Sequence, residues 1–172
     1  MEEGSKQYFG KYRGKVENPI DLQGLGRVQV SVPDVLGDGT LAWAMPSAPF
    51  AGKGMGFFAI PPQGARVWVE FERGDPDYPI WSGCFWGLGE EPLGKDPIAY
   101  LKMLIKTDKA TLQIDNNPIA PSFTLDVQVG GVAGAAKIEA GLTGMKISCA
   151  GNTIELAVDG VSINGMNFKV LK

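Results

Sequence analysis

The sequence predicts an all-β chain: a small closed barrel in the N-terminal half and, after a break, a ladder of short one-faced strands. Three observations predict it. Apolar and polar residues alternate in short blocks, the period of a strand buried on one face. Turn residues punctuate the blocks, with 24 glycines and 12 prolines that follow no collagen-like period. No stretch of the N-terminal half carries a helical period.

The first block, YFGKYRGKVEN, sets Lys11, Arg13 and Lys15 on one side and Tyr12, Gly14 and Val16 on the other. Asn18-Pro19 ends it, and DLQGLG is a loop. Arg27 to Val32 is a second strand with Val28, Val30 and Val32 inward, stopped by Pro33 and Asp34. Leu41 to Ala44 makes a third strand, stopped by Pro46. Residues 46–56 read as a glycine-rich loop, in which Gly52-Lys53-Gly54 lacks the spacing and the strand-then-helix context of a phosphate loop. Phe57 to Ile60 reads as a fourth strand before Pro61-Pro62. In Ala65 to Arg73, Val67, Val69 and Phe71 face one way and Trp68, Glu70 and Glu72 the other. Gly74-Asp75-Pro76-Asp77 is a turn, and Tyr78 to Trp86 is the closing strand. Five or six short strands in such a span suit a closed barrel of the oligonucleotide/oligosaccharide-binding (OB) type, which leaves no open edge.

The stretch GLGEEPLGKDPI, residues 87–98, is rich in glycine, proline and charge and marks a boundary. The expected division is a barrel over 1–88, a linker over 89–98 and a second region over 99–172. There Leu101, Met103 and Ile105 alternate with Lys102, Leu104 and Lys106, and Leu112 and Ile114 with polar neighbours. Phe123, Leu125, Val127 and Val129 follow, then a glycine/alanine passage from Gly130 to Ala136 that leads to Ile138. Met145, Ile147 and Cys149 form the next block, then Ile154, Leu156 and Val158, then Val161 and Ile163, then Met166, Phe168 and Val170. The block spacing is not constant, so this is no exact solenoid. A single ribbon of such strands leaves its apolar side half wet. Three copies wrapped about an axis would bury that side and pair the free edges, so a closed cyclic trimer is expected. A sheet packed on the barrel is the alternative.

Composition narrows the chemistry. With 44% hydrophobic residues in 172, a real core is possible in one or two small domains. A net charge of -3 argues against a general polyanion binder. Histidine is absent, which removes Ser-His-Asp and Cys-His catalysis and histidine metal sites. Cys84 and Cys149 fit no metal spacing; a disulfide is possible, and two buried free thiols are the expected state. Glu70 and Glu72 could pair for acid–base work but read as a solvated strand face, and Trp81, Phe85 and Trp86 as core or interface rather than a stacking platform. No signal peptide and no membrane span are expected.

Two stretches, YFGKYRGKVENPIDLQGLGRVQVSVPDV and PPQGARVWVEFERGDPDYPIWSGCFWG, resemble the OB module of phage baseplate assembly protein V. The same module occurs in contractile injection spikes and in the valine-glycine repeat proteins of type VI secretion. The shared features are GRVQVSVP, then P-x-x-G-x-x-V-W-V-E-F-E-x-G-D-P-x-x-P, then the turn from Gly83 to Gly87. The ending IELAVDGVSING resembles the β-helix that follows the module in such spikes.

The resemblance implies a homotrimeric needle with OB barrels on a separate baseplate hub protein, and so only indirect contact with the tail tube. A trimeric intertwined β-helix forms the shaft, with a PAAR-type tip protein at its C-terminal end. It implies a trimer core of Leu112, Ile114, Ile147, Ile154, Leu156, Val158, Val161 and Ile163, and a tip contact at Phe168, Val170 and Leu171. No catalytic residue, metal or cofactor is implied. The protein would assemble in the cytoplasm, join a virion or injection particle, and touch the target membrane transiently. No fused upstream hub domain is expected, and residues 87–98 are expected to leave no room for an inserted lysozyme domain. The competing reading is an OB-fold binder of nucleic acid or oligosaccharide using Lys11, Arg13, Lys15, Trp81 and Trp86; a spike expects no nucleic acid.

Overall fold

The computed structural model describes residues 6–129, 132–165 and 168–171, with the side chains of 129, 132–135 and 169–171 outside the description. The chain divides into two compact units, Met1–Glu91 and Pro92–Lys172.

The first unit is built from β1 (Tyr12–Asn18), β2 (Val28–Ser31), β3 (Leu41–Pro46), a small hairpin of β4 (Ala51–Gly52) and β5 (Met55–Gly56), β6 (Arg66–Phe71) and β7 (Pro79–Phe85). Five of these close a barrel in the order β1-β2-β3-β7-β6. All its pairings are antiparallel except β3 with β7. The alternation read from the sequence points the valines inward: Val16, Val28, Val30, Val32, Val67 and Val69 are fully buried, with Ala44, Phe71 and Trp81 completing the core. Gly14 is required by packing, because a Cβ there would stand 2.8 Å from Val69 Cγ2 and 3.2 Å from the Ser31 carbonyl oxygen.

The β1–β2 loop is organised by Asp21. Its carboxylate accepts hydrogen bonds from the backbone N–H groups of Gln23, Leu25 and Arg27 and from the Arg27 guanidinium at 2.8 Å. The guanidinium also lies over the Trp43 ring, 5.2 Å from its centroid. These bonds, the one from Arg27 first, hold the Asp21 carboxyl far below the usual carboxylate range.

The strand expected at Phe57 to Ile60 and the burial expected of the two cysteines are corrected, and the role of Pro33 is extended. Phe57 to Ile60 forms no strand; the loop instead makes the β4–β5 hairpin just before it. Pro33 does end the β2 alternation, but Pro33–Leu36 then forms one helical turn, which suits proline at a first helical position. Cys84 and Cys149 are free thiols, yet both are exposed rather than buried. Cys84 stands opposite the buried Val67 and Cys149 shares its side of β12 with Ile147, so each is exposed by its place near a strand end rather than by the side it occupies.

The second unit is one eight-stranded antiparallel meander. Its strands are β8 (Lys102–Lys106), β9 (Ala110–Asp115), β10 (Ser122–Val129), β11 (Val132–Gly141), β12 (Gly144–Cys149), β13 (Asn152–Ala157), β14 (Gly160–Ile163) and β15 (Phe168–Leu171). Every strand pairs with its neighbour in sequence. From Val132 onward the glycine/alanine passage belongs to β11, which meets β10 at Val132 and again at Ala136 across a register shift. Met166 lies outside the described residues. Before β8, Asp96 and Lys102 form a 2.5 Å ion pair, and the Asp96 carboxylate also accepts from the Ile98 N–H.

Candidate assembly face

The meander acquires a functional surface through its register. Ile105 stands opposite Leu112, Leu112 opposite Leu125, Leu125 opposite Ile138, and Ile138 opposite Ile147. Ile147 then faces Ile154, Ile154 faces Ile163, and Ile163 faces Phe168. A second column runs beside it through Met103, Ile114, Phe123, Ala140, Met145, Leu156 and Val161. Period-2 alternation places both columns on the same side of the sheet. Seven strand spacings of about 4.8 Å make this face about 34 Å long.

Among the described residues much of this face stays open to solvent. Val161, Ile114, Ile147, Ile163, Ile154, Met145 and Leu156 keep 38% to 44% of their surface in solvent, with their cross-strand neighbours in the meander covering the flanks. All the fully buried apolar residues described belong to the barrel, so the meander has no such core of its own. An apolar surface of this extent marks a contact face.

The opposite side is built for water. Lys146 stands between Glu139 and Glu155 across the strands, 2.7 Å from Glu155. The hydrogen bond to Glu155 raises the Lys146 pKa. Lys137 and Glu139 form a further ion pair.

Of the residues expected in the core, Leu112, Ile147, Ile154 and Ile163 fall in the first column and Ile114, Leu156 and Val161 in the second. Val158 is placed elsewhere. β13 ends at Ala157, and Val158 sits exposed in the turn to β14. Phe168 is exposed at the end of the first column. Val170 and Leu171 stand opposite Val161 and Gly160 in β15, and their side chains lie outside the described residues. Met103, Ile105, Phe123, Leu125, Ile138, Ala140 and Met145 belong to the same face but were absent from the expected set. Their alternation was visible; only the pairing register shows that they continue the columns.

The residues of the competing binder do not converge. Lys11 is 3.0 Å from Glu70 and donates to Ser82 Oγ, while Lys15 is 3.0 Å from Glu17. Arg13 lies over the Trp68 and Phe85 rings, at 5.5 and 5.1 Å. Trp81 is a core residue whose indole N–H points to the Gly26 carbonyl at 3.4 Å, and Trp86 is exposed. Glu70 and Glu72 form no pair: Glu70 is tied to Lys11, which lowers its pKa, and Glu72 has entered the turn after β6. Among the described residues no three acidic or cysteine side chains gather as metal ligands.

Residues 12–86 match the family model described as the type VI secretion system/phage-baseplate injector OB domain. That stretch, less than half of the chain, is similar to the OB domain of phage-baseplate and type VI secretion injectors. The match begins at the first residue of β1 and ends one residue beyond β7, so the injector OB domain and the five-stranded barrel coincide. A search of curated proteins gave no match. The match to the injector OB domain supports a structural role related to phage baseplates and type VI secretion spikes.

Proposed function

We propose that this chain is the central spike of a contractile injection machine, a homotrimeric needle whose work is mechanical. The injector OB domains sit on a separate hub protein. The three meanders turn their two-column faces to a common axis and form the shaft as a trimeric β-helix. A PAAR-type protein caps the C-terminal end, where Phe168 is exposed, and the shaft meets the target membrane only at the stroke. The chain catalyses nothing and needs no cofactor. It assembles in the cytoplasm and then travels in the particle.

One observation carries this reading: an apolar face crosses all eight strands, and among the described residues most of its large side chains keep more than a third of their surface in solvent. A ring of three gives every such face a partner and leaves no unpaired copy, whereas an open stack would not terminate. The charged opposite side becomes the shaft surface. Native mass measurement of the full chain tests it. Three chains of 18.3 kDa are expected to travel together at micromolar concentration, and a monomer would sink the proposal.

A further inference from the structure

We infer that Arg13, on the outer wall of the barrel, is a receptor for a single carboxylate, the side chain of an aspartate or glutamate on a partner protein. The site lies wholly within the barrel unit and is independent of the shaft.

Strand register assembles this wall. Arg13 on β1 stands opposite Trp68 on β6, and Lys15 opposite Arg66. Arg66 in turn stands opposite Phe85 on β7. Like charges facing each other across strands, as at Lys15 and Arg66, cost stability unless carboxylates offset them. Here they are offset: Lys15 is 3.0 Å from Glu17, and Arg66 is 3.2 Å from Glu90. Lys11, the next outward cation along β1, is held by Glu70. Arg13 differs from all three. It is exposed, and among the described residues its guanidinium makes no hydrogen bond and no ion pair. It has an aromatic seat instead. The Trp68 and Phe85 rings lie 4.7 Å apart, and the guanidinium sits over both.

A guanidinium seated on rings is oriented without spending its N–H groups. Its fork of donors matches the two oxygens of a carboxylate. Arg13 lines a cavity of about 440 Å³ together with the Lys15–Glu17 and Arg66–Glu90 pairs. Asp34 lines the same cavity and forms no ion pair. The charges on these walls select the occupant. The one unpaired cation attracts one anionic group, whereas Glu17, Asp34 and Glu90 repel any that follow it. A strand of phosphates would meet all three carboxylates. A lone acidic side chain reaches Arg13 without doing so, and the Phe85 ring in the same wall offers apolar surface to the residue beside it.

The test uses the full-length protein, isotope-labelled at arginine, in low-salt buffer, where an exposed charge is least screened. Acetyl-Leu-Asp-Leu-amide is titrated in while the Arg13 Nε–H resonance, assigned by its loss in Arg13→Gln, is followed. The aspartate peptide is expected to move that resonance at about one-tenth the concentration that acetyl-Leu-Asn-Leu-amide needs, the ratio given by one hydrogen bond to a charged group. The Arg27 Nε–H, already donated to Asp21, should stay in place. Line broadening of the aspartate peptide should fall in Arg13→Gln to the level of the asparagine peptide. Equal responses to the two peptides, none included, or unchanged broadening in Arg13→Gln would overturn the proposal. So would a short oligothymidylate strand that moves the Arg13 resonance at lower concentration than the aspartate peptide, because the site would then be a phosphate receptor.

Discussion

Replacing Leu156 with aspartate separates a shaft from a free-standing sheet. Leu156 lies between Met145 and Val161 in the second column and is 44% exposed. Full burial of a leucine is worth roughly 1.5–3 kcal/mol, so covering its remaining surface contributes about 1 kcal/mol per chain. In a monomer the aspartate would remain largely hydrated, and the sheet should tolerate it. In the proposed ring three carboxylates would lose water close to one another, at several kcal/mol per ion. The combined loss exceeds about 10 kcal/mol per trimer, enough to abolish association at micromolar concentration. Native mass spectrometry and sedimentation should then show Leu156→Asp as a folded monomer. Leu156→Ala, which loses only the apolar contact, should remain trimeric with a lower melting temperature. Glu155→Ala, on the opposite side, should leave the mass unchanged. A stable Leu156→Asp trimer would refute the reasoning, since it would place Leu156 away from the interface.

Three further outcomes are expected. Asp21 has its folded pKa below its unfolded one, so its contribution is complete above about pH 4 and fades as pH falls toward the folded value. Thermal melts of Asp21→Asn and the parent should therefore differ near neutrality and converge in acid; parallel curves would exclude the Asp21–Arg27 pair as the cause. Gly14→Ala should lose about 1–3 kcal/mol in urea unfolding, because the new methyl meets Val69 and the Ser31 carbonyl; an unchanged midpoint would show that β1 can shift. Labelled oligonucleotide titrated at low salt should bind weakly, as Lys11 and Lys15 are already paired with carboxylates. Tight, salt-sensitive binding would restore the competing reading.

Much of the architecture was legible in the residues. Alternation in GRVQVSVP and ARVWVEFER assigned the inward valines, since a strand buried on one face has no other period. Proline and glycine pairs located most turns. Phe57 to Ile60 misled because its composition favours a strand, while forming one also needs an edge to join, and β6 and β7 already close the barrel. The cysteines misled because thiols are usually buried, a tendency that says nothing about whether a position near a strand end is covered. Val158 extended an alternating pattern one step beyond the last paired residue, Ala157, where the ladder gives way to a turn.

By itself the sequence determined that the C-terminal region would be a set of strands with one apolar side, because periodicity is a local property of the chain. It also determined which face of each barrel strand would be buried, and the motifs that mark the injector OB domain. Only the tertiary structure decided how those strands line up. Cross-strand register joins Ile105 to Phe168 and Met103 to Val161 into two continuous columns, although these residues are far apart in the chain. Only the fold decided, too, that β3 would close the barrel against β7 through the parallel pairs Met45 with Ile80 and Pro46 with Trp81. Both depend on which backbone groups find partners across long separations. That is a matter of pairing between strands, which no single strand's composition encodes.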